Sequence, residues 1–259
     1  MKRTTRKDLR EHLRALGLKK GDNVWVQSRL LAFGLLEGGM ETVYAAFRDV
    51  IGEEGTLAVA TYRWSAPADE PYDPATSPSL DLGPFSEYVR QLPGAVRSLA
   101  PMHSHAAVGP LAGILKLPDG HQSFGPGSDY EQLLKHDFIN VYLGLAGRLH
   151  EAATYPIHVQ ACLGNIPYRE WIDLQRLVVI NGKAEPFMVR YYARRDRSAR
   201  EDLGRAYPLL RKHDALRQAP CAYGASCAVP LSVYHEIVEK ALSRDPLFFL
   251  RDHQPEELR

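Results

Sequence analysis

Two short apolar runs on either side of an amphipathic helical segment limit most strongly what this chain can fold into. The runs are Asn23–Gln27 and Thr56–Thr61, and the segment between them extends from about Met40 to Val50. Apolar runs of this length, bounded by turn residues, are typical of buried strands. Since two parallel strands need a long crossover, usually a helix, the pattern predicts a βαβ unit.

The alternation of strands and helices continues along the chain. Further predicted elements are strands at Ala106–Val108, Phe138–Leu143, Arg176–Ile180 and Pro186–Tyr192, and a helix at Leu231–Leu242. Asn181-Gly182 is a strong signal for a two-residue hairpin turn. A first helix is predicted to begin after Thr5, with Asp8 completing a capping box, and to stop at Gly17. Together these elements predict a layered α/β/α domain with a central mixed β-sheet and an antiparallel hairpin.

Length and charge exclude several classes of protein. The 259 residues show no linker and no repeat, and α/β architectures reach this length as one unit, so a single domain over residues 1–259 is expected. A net charge of +1 provides no global field for nucleic acid. The chain has no apolar run long enough for a membrane span. Three cysteines suit a reducing compartment, so a cytoplasmic protein is expected.

Two long segments without periodicity are expected to be functional loops. They are Tyr62–Gly83, which is rich in Pro, Ser, Asp and Ala, and Pro118–Ser128. Loops of this length inside a domain are uncommon unless they bind or cover a ligand.

The turn after the first strand is the first candidate site. Glycines at a strand-to-helix junction let the backbone approach a ligand, and free N–H groups at a helix start favour an anion such as phosphate. The spacing fits neither the dinucleotide fingerprint nor a P-loop, so a tight turn without a ligand stays open. The residues concerned are Gln27, Ser28, Arg29, Leu30, Leu31, Gly38 and Gly39.

Histidines supply two further candidates. His103 and His105 alternate, so on an extended chain they share one face, but no third ligand is evident and no metal is expected. His158 follows a strand that ends in glycines, at the edge where open α/β folds build their sites. It is a candidate general base, with Glu151 as an orienting carboxylate and His103 as the second choice for the base. A core or capping role for His158 stays open.

In several sequence blocks the chain resembles the aminoglycoside 3-N-acetyltransferase family, and the resemblance extends from about Leu9 to Leu250. The matching blocks are 24–30, 38–39, 52–57, 71–78, 92–98, 103–109 and 124–128. The resemblance implies a fold distinct from the common GNAT acetyltransferases and transfer of acetyl from acetyl-CoA to a sugar amine. It implies that His158 is the base and that the Ser28–Leu31 turn with its following glycines contacts CoA. Arg97 and Ser98 are assigned to the cofactor site with it.

The chain departs from the family pattern at two points. Where the family usually has His-Ser/Thr-Ser-Leu, this chain has Gln27-Ser28-Arg29-Leu30, which places a cation where it could pair with a CoA phosphate. Ala161 stands where the family tends to carry Glu, so Glu151 or no residue is the partner of the base. A non-catalytic CoA-binding paralogue and a metal-dependent hydrolase using His103, His105 and His158 therefore stay open.

An arginine-rich stretch provides a prediction about the charge of the acceptor substrate. Its basic residues are Arg190, Arg194, Arg195, Arg197, Arg200, Arg205, Arg211, Lys212 and Arg217. They suit an anionic acceptor, such as a nucleotide-linked amino sugar, better than a polycationic aminoglycoside. A solvated basic face and aminoglycoside acetylation are the alternatives. The expected partners are CoA and a small-molecule amine, with no nucleic acid and no membrane, and a homodimer is left open.

Overall fold

A seven-stranded mixed sheet forms the centre of the computed structural model, which describes residues 2–196 and 198–258. The strands are β1 (Arg3–Thr4), β2 (Val24–Ser28), β3 (Leu35–Leu36), β4 (Leu57–Ala60), β5 (Val96–Arg97), β6 (His105–Val108), β7 (Ile139–Leu143), β8 (Arg169–Ile180), β9 (Lys183–Arg194), β10 (Arg217–Cys221) and β11 (Gly224–Pro230). The helices are α1 (Arg6–Ala15), α2 (Gly39–Ile51), α3 (Pro84–Arg90), α4 (Asp129–Lys135), α5 (Tyr155–Leu163), α6 (Ala206–Lys212) and α7 (Leu231–Arg244).

The order of the strands places β2 at the middle of the sheet. The sheet runs β10-β11-β7-β2-β4-β6-β5. Strand β2 is parallel to both β4 and β7, whereas β6, β5, β11 and β10 join by antiparallel pairing. The carboxyl ends of β2, β4 and β7 therefore lie at one edge, where open α/β sheets build their sites.

Alternate residues of the central strands face two separate cores. In β2, Val24 and Val26 pack in one core with α1, α2 and α3, while Trp25 packs in the other with α4, α5, α6 and α7. Successive side chains of a strand point to opposite faces of its sheet, so a strand buried on both faces reads as a continuous apolar run. The predicted α/β/α layering and mixed sheet are confirmed.

Local sequence motifs correctly predicted the start of α1 and the turn of the β8–β9 hairpin. Thr5 caps α1 and forms the predicted capping box with Asp8. The Asn181-Gly182 turn joins β8 and β9, and both turn residues have positive φ, +52° and +79°, as a type I′ turn requires. The hairpin strands are longer than predicted, because β8 begins at Arg169 and β9 at Lys183. Their added residues are mostly polar or charged and follow no clear apolar alternation.

Several short helices and strands of the structure were not predicted from the sequence pattern. Helices α3, α4 and α6 each have seven residues, too few for a 3.6-residue period to stand out. Strands β10 and β11 consist mainly of polar and small residues and proline, and Val229 is their one β-branched residue. Tyr62–Gly83 and Pro118–Ser128 are loops as predicted, and each contacts the hairpin through an isolated bridge, Tyr72 with Val178 and Gln122 with Arg190.

Within the described ranges, every helix is too short or too polar to span a bilayer.

Candidate active site

A cavity of about 460 Å³ opens at the carboxyl edge of β2, β4 and β7, and we call it the sheet-edge cavity. Parallel strands bring its walls together from distant parts of the chain. They are Val26, Gln27, Ser28 and Arg29 from β2 and its turn, Ala60 at the end of β4, Leu80, Asp81, Leu82, Gly83 and Ser86 from the long loop and α3, and Leu145, Glu151 and Ala152 after β7. Four predicted site residues, Gln27, Ser28, Arg29 and Glu151, therefore lie in one cavity.

Arg29 and Glu151 form the charged part of this cavity. Arg29 Nε lies 3.5 Å from Glu151 Oε2, and both side chains are about one-third exposed. Glu151 also accepts a hydrogen bond from Arg148 Nε at 2.7 Å. The bond from Arg148, with a smaller contribution from Arg29, lowers the pKa of Glu151, so the carboxyl group is ionised at neutral pH. Among the residues that the structure describes, Arg29 has Glu151 as its only ion-pair partner, and Glu151 is shared with Arg148.

Other residues predicted for the CoA turn lie outside the cavity wall. Leu30 and Leu31 belong to a 3₁₀ turn, Leu30–Phe33, and the Leu31 side chain is 78% exposed. Gly38 and Gly39 lie at the start of α2, beyond β3, which pairs with β1. The sequence suggested one strand-turn-helix unit, but the 3₁₀ turn and β3 separate these glycines from the end of β2.

The side chains of Arg97 and Ser98 form hydrogen bonds with other residues of the protein. Arg97 Nε donates to Thr61 Oγ1 at 3.0 Å and its Nη2 donates to the Thr61 carbonyl at 2.7 Å. Ser98 Oγ donates to Asp129 Oδ2 at 2.5 Å. Both side chains are buried and neither lines the sheet-edge cavity.

His158 is fully buried on α5 among aromatic rings. Its ring stacks on Tyr130 with centroids 5.5 Å apart, and burial, with a smaller effect of His235, lowers its pKa to about 3. The backbone N–H of Gly125 donates to Nδ1 at 3.1 Å. Because Nδ1 accepts this bond, the neutral ring carries its proton on Nε2, which lies 3.6 Å from Cys162 Sγ.

Glu151 does not orient His158. The carboxylate faces Arg148 and Arg29, while both ring nitrogens of His158 face Gly125 and Cys162. The spacing in the chain suggested a partner, but the 3₁₀ turn Leu149–Glu151 directs the carboxylate into the sheet-edge cavity instead. Cys162 is exposed as a residue, but partial desolvation of its thiol, with smaller effects of Glu131 and Glu239, raises the pKa to about 12, so little of the nucleophilic thiolate is present at neutral pH.

His103 and His105 lie near each other but have different partners. His105 Nδ1 is 3.1 Å from Asp129 Oδ2, a carboxylate 24 positions along the chain that the sequence could not associate with it. His103 stacks on Tyr191, and its buried Nδ1 has no hydrogen-bond partner among the described residues. Burial lowers the pKa of His103 to about 3. Across residues 2–196 and 198–258, no three His, Cys, Asp or Glu side chains are grouped as metal ligands.

The structure disperses the arginine-rich stretch. Arg205 donates to the carbonyl oxygens of Phe248 and Leu250 at 2.7 and 2.6 Å, which is a structural role. Arg190 lies over the Trp171 ring and Arg211 over the Tyr207 ring. Arg197 lies outside the described residues.

One member, Arg194, lines a second cavity of about 330 Å³, which we call the arginine cavity. Arg251, another arginine of its wall, lies outside the arginine-rich stretch and was not predicted. The full lining is His150, Ile157, Arg169, Tyr191, Arg194, Glu201, Asp202, Leu203 and Arg251.

Comparison with protein families and curated sequences gives one consistent match. Residues 25–243 match the family model described as aminoglycoside 3-N-acetyltransferase. The aminoglycoside N(3)-acetyltransferase III of Salmonella sp is 33% identical over 190 residues, covering 66% of this chain and 65% of that protein, so the alignment spans just under two thirds of the relative's length. The aminoglycoside N(3)-acetyltransferase IV of Salmonella sp is 30% identical over 247 residues, covering 93% and 87%.

Solved structures agree on the fold. A crystal structure of aminoglycoside acetyltransferase AAC(3)-Xa superposes with a TM-score of 0.84 at 24% identity, covering 96% of this chain and 95% of that one. The binary complex of AAC-IIIb with CoASH gives a TM-score of 0.83 at 21% identity, covering 98% and 100%. At these identities the likeness concerns the fold alone.

Proposed function

Because the chain belongs to the aminoglycoside 3-N-acetyltransferase family, we propose that it transfers acetyl from acetyl-CoA to a primary amine of an amino sugar. The observation that carries this proposal is the sheet-edge cavity, which gathers Gln27, Ser28 and Arg29 at the carboxyl ends of three parallel strands. Its volume of about 460 Å³ lies within the ordinary range for cofactor and ligand pockets.

Arg29 is proposed to bind a phosphate of acetyl-CoA. A guanidinium forms two parallel hydrogen bonds to a phosphate, and Arg29 is one-third exposed in the cavity. Glu151 holds Arg29 in place without neutralising it fully, because Glu151 also accepts from Arg148. A similar structure is a binary complex with CoASH, which supports the choice of donor.

The reaction needs a base and a donor for the oxyanion. A sugar ammonium must lose a proton before its nitrogen can attack the thioester carbonyl, and the tetrahedral oxyanion must then be stabilised by hydrogen-bond donors. Ser28 supplies a hydroxyl inside the cavity for this purpose. Collapse of the intermediate releases CoA as the thiol, and the proposed reaction uses neither a metal ion nor an acetylated cysteine.

His158 is the proposed base. Its unprotonated nitrogen is Nδ1, so the amine proton must be taken there, and the hydrogen bond from Gly125 N–H must open first. The low pKa of His158 results from burial. Movement of the Phe124–Ser128 loop that exposes the ring would therefore raise this pKa toward 6.5 and strengthen the base.

Two acceptor classes are compatible with this proposal. The names of the relatives favour an aminoglycoside. Arg194 and Arg251 in the arginine cavity favour an anionic amino sugar, such as a nucleotide-linked one. A thiol-release assay with kanamycin-type acceptors and nucleotide-linked amino sugars at equal concentration separates the two. Tight CoA binding without turnover of any amine would instead indicate a non-catalytic paralogue.

The donor site is tested by Arg29→Glu. This change places a like charge beside the CoA phosphates and beside Glu151, so calorimetry should show CoA affinity reduced about tenfold or more. Arg148→Gln is the matched control, because it removes the other cationic partner of Glu151 from outside the cavity wall. Equal CoA affinity in wild type and Arg29→Glu would exclude the Ser28–Leu31 turn as the phosphate site.

A further inference from the structure

The charges of the arginine cavity do not balance. Arg169 and Glu201 form a buried ion pair in its wall, and Arg169 Nη1 also donates to the Tyr192 carbonyl at 2.5 Å, so these two charges cancel. Asp202 is the other acidic residue of the wall, and its Oδ1 accepts from the Gly204 N–H at 3.0 Å. Against this single remaining carboxylate stand two guanidinium groups, those of Arg194 and Arg251.

Arg194 and Arg251 come from neighbouring segments. Arg194 Nη1 donates to the Ala199 carbonyl at 2.9 Å, and the backbone N–H of Arg251 donates to the Arg200 carbonyl at 2.8 Å. An antiparallel bridge between Glu201 and Leu250 fixes the two segments side by side. Among the described residues, no carboxylate lies within ion-pair distance of either guanidinium. Most of their N–H donors are therefore available to a ligand.

The arginine cavity shares a chain segment with the proposed reaction site. Its wall includes His150, which precedes Glu151 of the sheet-edge cavity, and Ile157, which precedes His158. The segment 150–158 therefore contributes residues to both cavities and also carries the proposed base.

We infer that the arginine cavity binds a phosphate group of the acceptor, so that the substrate of the proposed acetyl transfer is a phosphorylated amino sugar. This inference rests on the proposed function. Two guanidinium groups with free donors match the oxygens of a phosphate, whereas a polycationic acceptor would meet like charge. The cavity volume of about 330 Å³ accommodates a sugar ring or the phosphorylated portion of a sugar. The phosphate is either a monoester on the sugar or part of a nucleotide diphosphate.

The first test compares acceptors that differ only in phosphate. Glucosamine 6-phosphate should have a kcat/KM at least about tenfold above that of glucosamine, and the double variant Arg194→Gln/Arg251→Gln should abolish that ratio. Arg200→Gln is the matched control, since Arg200 is an exposed arginine of the same segment that lines a different cavity. A nucleotide-diphosphate amino sugar, assayed in parallel, distinguishes the two sources of phosphate. A ratio near one for both phosphorylated acceptors, or a ratio unchanged in the double variant, would overturn the inference.

The second test does not depend on turnover. Inorganic phosphate should bind wild-type protein and the Arg200→Gln control in calorimetry, and the double variant should lose this binding at least about tenfold. If phosphate binds in this way but no amine is acetylated, the subsite stands and the proposed acetyl transfer fails. If acceptors are acetylated but phosphate binding does not depend on Arg194 and Arg251, the subsite fails and the proposed function stands.

Discussion

His103 and His158 have nearly the same surroundings and nevertheless differ in what they can do. Both rings are buried among aromatic side chains, and burial lowers the pKa of each to about 3. His103 Nδ1 has no hydrogen-bond partner in the described part of the chain, whereas His158 Nδ1 accepts from Gly125. His158 also follows Ile157, a wall of the arginine cavity. A lowered pKa therefore does not by itself distinguish the proposed base from a second buried histidine, and the hydrogen bond at Nδ1 is the feature in which the two differ.

The largest predicted effect separates the two histidines by turnover. His158→Ala should lower kcat by about 10²–10⁴-fold, because it removes the proposed base for the acceptor amine, with CoA affinity nearly unchanged. His103→Phe should retain turnover, because an apolar ring suits the stack with Phe124 and Tyr191. Steady-state kinetics and CoA calorimetry on both variants check this. Wild-type turnover in His158→Ala would remove the base assignment.

Acid stability gives the next largest effect. Both histidines are neutral in the folded state down to about pH 3, while the unfolded chain protonates them below about pH 6.5. The unfolded state then binds more protons, so stability falls as pH drops from 6.5 toward 3, by about 1.4 kcal/mol per pH unit for each histidine. Urea unfolding at pH 7 and pH 5 should show His103→Phe losing about 2 kcal/mol less than wild type. An unchanged pH dependence in this variant would mean that His103 is not buried in its neutral form.

The smallest predicted effect concerns the Gly125 contact that His103 lacks. Gly125 has φ +77°, and a Cβ there would lie 3.2 Å from Ala161 Cβ, so Gly125→Ala should cost about 1 kcal/mol and displace the N–H from His158. Gly127→Ala is the matched control, because Gly127 has φ +82° and a Cβ there would meet the flexible Gln122 side chain.

Both glycine variants should lose similar stability in urea unfolding. Only Gly125→Ala should change the dependence of kcat on pH, since only that N–H bonds His158 Nδ1. Identical pH profiles for the two variants would show that the contact with Gly125 does not control the base.

Sequence patterns predicted the parts of the molecule that are contiguous in the chain. The βαβ unit, the Thr5 capping box and the Asn181-Gly182 turn follow from local spacing, and the β2 turn placed Ser28 and Arg29 in the sheet-edge cavity. Parts that depend on tertiary pairing were not predictable. Examples are Asp129 beside His105 and Arg251 opposite Arg194, since no periodicity relates such distant positions. Extent of the domain over residues 1–259 stays a prediction.

The position of β2 at the centre of the sheet has a consequence for how the chain is made. Val24 pairs with Leu57 on one side and with Ile139 on the other, so the middle of the sheet is completed only by a contact of very long sequence separation. Such contacts slow folding, because the entropy of closing the intervening loop is lost before the pairing compensates for it. On the ribosome, Trp25 and the apolar faces of β2 and β4 therefore wait for β7 to emerge. Apolar surface that stays exposed during this interval favours aggregation of the nascent chain.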